Sequence, residues 1–163
     1  MTLAFVYRTP EHDPDTNLPA TDFGMHCSGA TYQVQGHSSG LLSECSEIIE
    51  DIPICQQTYG TKILLSVGGE YSARNDYSLS SEQAGEDFAN FLWQAFGPYD
   101  PHAGYHGPRP IDPPAPADDG HHGYDATAIH NAVDGFDLDL ESKFPDQKPW
   151  IRFVERLHWH FDM

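Results

Sequence analysis

Four acidic residues stand within eight positions in Asp134-Gly135-Phe136-Asp137-Leu138-Asp139-Leu140-Glu141. In an extended strand alternate side chains point to opposite faces, so Asp137, Asp139 and Glu141 share one face while Phe136, Leu138 and Leu140 share the other. Successive carboxylates on that face lie roughly 6 to 7 Å apart. Such crowding on an apolar strand is costly, because desolvation and mutual repulsion both oppose ionisation. A cluster of this kind serves chemistry: an acid whose neighbours shift its pKa, or a divalent cation held by hard oxygen ligands. The structural alternative is an ion-pair network, and basic residues are scarce nearby.

A strand at 132–141 must be positioned by the elements around it. Leu3 to Tyr7, LAFVY, is a short continuous apolar run, the pattern of a strand buried on both faces of a parallel sheet. Lys62 to Val67, KILLSV, is a second such strand, closed by Gly68-Gly69, where the backbone can turn sharply or let a ligand come close. The spacing of Cys45, Ile48, Ile49 and Ile52 predicts an amphipathic helix from about Ser43 to near Gly60, with Pro53 kinking or shortening its last turns. Ser80 with Gln83 suggests a capping box for a second helix, whose stripe is Ala84, Phe88, Phe91, Leu92 and Ala95 and whose end is Gly97-Pro98. Trp150, Phe153, Val154, Leu157 and Phe161 mark a third, with Pro149 in its first turn. Residues 8–43 and 98–131 show no period and are expected to be long loops. Strands alternating with helices make an α/β fold with a parallel sheet and right-handed crossovers, either open and doubly wound or closed as a barrel.

Composition narrows the partners. The 163 residues carry eight Lys plus Arg against 25 Asp plus Glu, a formal charge of -17, which repels phosphate backbones and anionic membrane surfaces. Neither nucleic acid nor a membrane is expected as a partner, whereas a neutral polysaccharide meets no such repulsion. No apolar run is long enough to cross a bilayer, and Met1 to Pro10 lacks the pattern of a secretory signal. Five of ten histidines, His102, His106, His121, His122 and His130, fall in the second loop without fixed ligand spacing, so they read as a solvated surface and no metal or cofactor is expected. Three cysteines, Cys27, Cys45 and Cys55, leave open one disulfide with one thiol, or three reduced thiols.

The strand Asp134 to Glu141, D-G-x-D-x-D-x-E, preceded by Ser66-Val67-Gly68-Gly69, closely resembles the family 18 glycoside hydrolases. LAFVY, CSEIIEDIPICQQ before KILLSVGG, and FANFLWQAFGP are similar to the class III, hevamine-like chitinases of plants and fungi. Motif order and context agree, which makes the resemblance more specific than either short motif alone. It implies a (β/α)8 barrel with its active site at the C-terminal strand ends, where Glu141 lies. It also implies a retaining mechanism in which the substrate's own N-acetyl group is the nucleophile. Glu141 would protonate the glycosidic oxygen of chitin or a chitooligosaccharide and later activate water. Asp139 would hold the acetamido N–H so that its carbonyl oxygen attacks the anomeric carbon, and Asp137 would share a proton behind it. Nearby carboxylates disfavour ionisation of Glu141, which an acid working near neutral pH needs.

By the same resemblance Phe5 would wall the sugar ring, although ordinary core packing explains an apolar residue there equally well. Ser66, Gly68 and Gly69 would line the substrate's approach, Cys27 would pair with Cys45, and Cys55 would be left as a thiol. Secretion is implied too. The match covers only the second to fourth βα units of the eight, so residues 1–163 are expected to form a partial family 18 catalytic domain with an insertion at 98–131. A full barrel takes about 250 residues. The later-strand Tyr and Trp that complete the sugar-binding floor are outside the match, and Glu70 puts a charge where relatives usually have Gly or Ala. A truncated, inactive chain is one expectation; a non-catalytic chitinase-like binding or inhibitor protein is the alternative.

Overall fold

A computed structural model describes residues 1–113 and 130–163. In chain order the elements are β1 (Thr2–Arg8), β2 (Ala20–Thr21), β3 (Thr31–Val34), β4 (His37–Leu42), α1 (Ser46–Pro53), β5 (Leu64–Gly69), α2 (Glu82–Phe96), β6 (Gly135–Leu140) and α3 (Lys148–Asp162). A four-stranded sheet runs β2-β1-β5-β6, parallel throughout except for the antiparallel edge strand β2, while β3 and β4 form a separate hairpin. The fold is mixed α/β, as the alternation of strand and helix patterns implies.

One face of the sheet is covered. Val6, Ile63, Leu65 and Val67 are fully buried, together with Phe88, Leu92, Phe96 and Phe153 of α2 and α3. The helices meet closely because Gly85 has no side chain: a Cβ there would run into the Pro149 carbonyl. Phe88 packs on Phe153 at 5.3 Å between ring centroids, and Arg152 places Nε and Nη2 3.0 and 2.7 Å from Glu86 Oε2 across the same seam. The opposite face of the sheet lacks a helical layer among the described residues. Expected burial of LAFVY on both sides therefore needs correcting: only Val6 is buried, while Leu3, Ala4, Phe5 and Tyr7 are half-exposed.

Three further expectations shift. Residues 8–43 are not one loop, since they contain β2 and the β3–β4 hairpin; their Gly, Ser and Thr content hid strands too short to show a period. Helix α1 is shorter than 43–60, because Pro53 is its last residue and the chain continues as a π-helical turn over Ile54–Thr58. The cap of α2 is Ser81, whose Oγ accepts the Ala84 N–H at 3.1 Å; Ser80 donates its hydroxyl to Glu11 Oε2 at 2.7 Å instead. Of the excursion at 98–131, the described portions 98–113 and 130–131 hold neither helix nor strand, and His121 and His122 lie outside the described residues.

The base of β6 is held by Asp134. Its carboxylate accepts from Lys62 Nζ at 2.8 Å, from the Ile63 N–H at 2.9 Å and from Gln56 Nε2 at 2.8 Å, while its own N–H donates to Ile63 O at 2.7 Å. Burial alone raises the Asp134 pKa, but the bonds from Lys62, Ile63 and Gln56 outweigh it and hold the carboxyl down at about 2. A depressed folded-state pKa contributes stability that is present above the unfolded value and lost as pH falls through the folded one. Replacing Asp134 by Asn should therefore cost about 1 to 2 kcal/mol at neutral pH and flatten the acid limb of a stability curve between about pH 4 and pH 2. Urea melts across that range check it.

Candidate functional site

The side chains expected to form the site gather toward the C-terminal ends of β1, β5 and β6. Register decides which residues meet: Ser66 lies opposite Asp137, Gly68 opposite Asp139 and Gly69 opposite Leu140. Because the pleat alternates, the side of β6 that packs toward the core carries Phe136, Leu138 and Leu140, and the open side carries the acids. Asp137 and Glu141 are exposed and Asp139 is half-buried. Ser66, itself buried, donates its hydroxyl to Asp137 Oδ2 at 2.8 Å. No described Lys, Arg or His forms an ion pair with any of the three acids. Nor do any three described His, Cys, Asp or Glu side chains converge so as to hold a metal ion.

The two glycines are there for space. Gly68 has φ +121° and Gly69 φ +90°, and a Cβ on Gly68 would run into the Asp139 carbonyl. Beside Gly69 lies Phe5, whose ring atoms come within 3.4 Å of where a Cβ would stand. The β1–β5 register slips between Ala4 and Val6, so Phe5 is the extra residue of an irregularity that turns its half-exposed ring toward the strand end. Phe5, Gly68, Gly69 and Asp139 are thereby brought together at one mouth. Cys27 and Cys45 are joined by a disulfide that closes the β3–β4 hairpin onto the start of α1, and Cys55 is a half-buried thiol. Glu70 is exposed just beyond Gly69.

One residue of the site escaped sequence reasoning. Tyr77, fully buried, donates its hydroxyl to Gly69 O at 2.8 Å and accepts the Glu141 N–H at 3.1 Å. Its ring meets Tyr71, Phe144 and Trp150 edge-on, with centroids 5.3, 5.8 and 6.4 Å away. Burial raises the phenol's pKa; the Glu141 N–H works against that rise, and the Glu141 and Asp139 charges add to it. The stretch 70–81 holds two tyrosines, Tyr71 and Tyr77, and Leu79, and nothing in the sequence singles out Tyr77 as the one that anchors the loop.

Chemically, the site offers carboxyl groups on one rigid strand edge, an aromatic face beside them and a backbone that a ligand can approach closely. No protein-family model matches the chain. By sequence it is similar to a probable endochitinase of Arthroderma benhamiae, 38% identical over 88% of this chain and 16% of that protein. It is 39% identical to endochitinase A1 of Aspergillus fumigatus over 86% of the chain and 14% of that protein. Against endochitinase A of Emericella nidulans it is 35% identical over 99% of the chain and 14% of the relative. The chain thus spans a sixth or less of the length of these relatives. Its fold resembles a chitinase of Ipomoea carnea, with a TM-score of 0.61, 23% identity and coverage of 98% of this chain and 43% of that one. A xylanase and α-amylase inhibitor protein of Scadoxus multiflorus gives the same TM-score of 0.61 at 21% identity, covering 99% of this chain and 43% of that one.

Gly68 gives a direct test of this packing. Gly68→Ala should destabilise the protein by about 2 kcal/mol or more, from positive φ and the blocked Asp139 carbonyl together, whereas an alanine placed at exposed Ser46 should cost under about 0.5 kcal/mol. Denaturant midpoints of the two variants report the difference.

Proposed function

We propose, for a chain homologous to the fungal endochitinases over most of its length, that it carries the catalytic strand of a chitinase-type glycosidase built on part of a (β/α)8 barrel. The bonds cleaved are β-1,4 linkages between N-acetylglucosamine units of chitin or chitooligosaccharides. The observation that carries this reading is the shared open side of Asp137 and Asp139 on β6, with Glu141 directly after the strand, beside Phe5 and the Gly68-Gly69 end of β5.

Each group has a task that its position supports. Glu141 stands one residue past the end of β6 and is exposed, so its carboxyl can reach a glycosidic oxygen, protonate it, and later take a proton from the incoming water. Asp139, one pleat deeper and half-buried, accepts the acetamido N–H, which holds the acetamido carbonyl oxygen behind the anomeric carbon. That oxygen forms the bond to the anomeric carbon as the bond to the leaving sugar breaks, and water opens the resulting ring with net retention. Asp137 stands behind Asp139 with one oxygen already bound by Ser66, which leaves its other oxygen to share a proton with Asp139. Phe5 offers an apolar wall to the sugar face. Neutral sugar polymer is also the partner class that a charge of -17 repels least. An extracellular setting, where chitin is met, is compatible with the Cys27–Cys45 disulfide.

A second reading draws on one observation: solved proteins of this fold include a xylanase and α-amylase inhibitor at the same TM-score of 0.61. A non-catalytic, carbohydrate-binding role would use the same cleft without turnover. The two part company in experiment. Glu141→Gln in the protein at its natural length should lower hydrolysis of a chromogenic chitooligosaccharide by about 100-fold or more while leaving chitin retention and thermal stability within error. Retained turnover would remove Glu141 as the acid, and its absence in the unaltered protein would favour the binding role. The 163-residue chain by itself leaves the acidic face of β6 open to water, so its turnover should lie at least about 100-fold below that of a full-length Aspergillus endochitinase assayed beside it. Comparable rates would contradict that.

A further inference from the structure

Beyond the three carboxylates, the site depends on how the main chain of its acid is held. The last paired residues of the β5–β6 ladder are Gly69 and Leu140, so Glu141 stands one step beyond the ladder. A residue there would ordinarily leave the sheet with its N–H turned to water. Instead the Tyr77 phenol spans the gap, accepting from Glu141 N–H at 3.1 Å and donating to Gly69 O at 2.8 Å. We infer that Tyr77 is a positioning residue for the proposed acid Glu141, its hydroxyl serving as an inserted rung that fixes where the β6 strand ends and hence where the Glu141 carboxyl points. The inference rests on the chitinase reading given above.

Tyr77 can do this because it is itself immobilised from both sides. Its neighbours Asp76 and Ser78 are gripped by the end of β1: Thr9 N–H donates to Asp76 O at 3.3 Å and Thr9 Oγ1 to Ser78 O at 2.9 Å. Thr9 is fully buried, so these bonds face no competition from solvent. Asp76 Oδ1 in turn accepts from the Ser78 N–H at 2.9 Å and the Ser78 hydroxyl at 2.7 Å, and His12 Nε2 lies 3.3 Å from the same oxygen. Tyr71, Phe144 and Trp150 then pack around the ring edge-on. A continuous path of contacts thus links β1 through the loop after β5 to the tip of β6. The hydroxyl's direction is settled too, because its proton is committed to Gly69 O and a lone pair is left for Glu141 N–H.

Direction matters for catalysis more than for folding. A displacement of about 1 Å at an acid can cost on the order of 100-fold in rate while the substrate still binds.

The test compares Tyr77→Phe with the unaltered protein at its natural length, using a chromogenic chitooligosaccharide, with Glu141→Gln alongside. Tyr77→Phe should lower kcat by about 10-fold or more with KM changed less than about two-fold. A merely structural tyrosine would lower the melting temperature but leave kcat per folded molecule in place, and that result overturns the inference. An inactive Glu141→Gln beside a wild-type-like Tyr77→Phe sinks the positioning role alone, whereas an active Glu141→Gln sinks the chitinase reading. Should Tyr77→Phe fail to fold, 3-fluorotyrosine at position 77 decides the point, because its phenol is a weaker acceptor of nearly the same volume. Faster amide exchange at Glu141 with a lowered kcat supports the inserted rung, and unchanged exchange overturns it.

Discussion

A parallel sheet with helices on one face imposes period-two order on every strand it contains, and the candidate site follows from that order. Val6, Ile63, Leu65 and Val67 must face the helices because the apolar residues that bury them, among them Ile48 and Ile52 of α1, Phe88 and Leu92 of α2 and Phe153 of α3, form one core with them. Once they do, Ser66 and Gly68 of β5 and Asp137 and Asp139 of β6 have no choice but to share the other face, in the register Ser66 to Asp137 and Gly68 to Asp139. A slip of one residue would bury the acids and expose Leu138 and Leu140, at a cost in desolvation far above any hydrogen bond regained. Hydrophobic burial on one side is thus what orients the charges on the other.

Both ends of β6 are fastened by interactions of different kinds. At its base the Asp134 carboxylate ties Lys62, Ile63 and Gln56 together and sets the strand's height relative to β5. At its tip the Tyr77 hydroxyl sits between Gly69 and Glu141. Strand position is therefore specified twice, by a charged clamp and by a buried phenol, and the six residues between have little freedom to shift. Such rigidity suits a site whose carboxylates must keep fixed separations.

Away from the mouth, a second buried polar cluster organises the start and end of the excursion after α2. Arg109 bridges Gln94 O, Gly97 O, Asn131 O and the Asp112 carboxylate, and Asn131 Nδ2 donates to Ile49 O and Ile111 O at 2.9 and 2.8 Å. Among them, Gln94 O is a carbonyl that the end of α2 leaves unpaired, and Ile49 O is one whose helical donor is missing because Pro53 has no N–H. The excursion is thus anchored at its roots, which delivers the chain to Val133 and Asp134 in the right place to begin β6. The acidic strand owes its entry point to this cluster as much as to the sheet.

Much of this was legible from residue types alone. LAFVY, KILLSVGG and DGFDLDLE announce strands because continuous or alternating apolar residues can be buried only in that conformation, and Pro53 and Gly97-Pro98 stop helices wherever they stand. The shared face of Asp137, Asp139 and Glu141 is a consequence of the pleat and needs no tertiary information. Strands β2, β3 and β4 were not legible, since two to six residues, AT, TYQV and HSSGLL, are too short to show a period and are strands only because a partner edge accepts their hydrogen bonds. The one-sided exposure of β1 was equally hidden, because LAFVY has the same pattern whether one face or both are covered. Tyr77 could be placed against Gly69 and Glu141 only by the fold, since 64 positions separate it from Glu141 in the chain. The sequence by itself determined which atoms could do chemistry and on which face they stand, because alternation is a property of the local backbone. Only the tertiary structure decided what holds those atoms still, because the residues that hold them are distant in sequence and meet through packing.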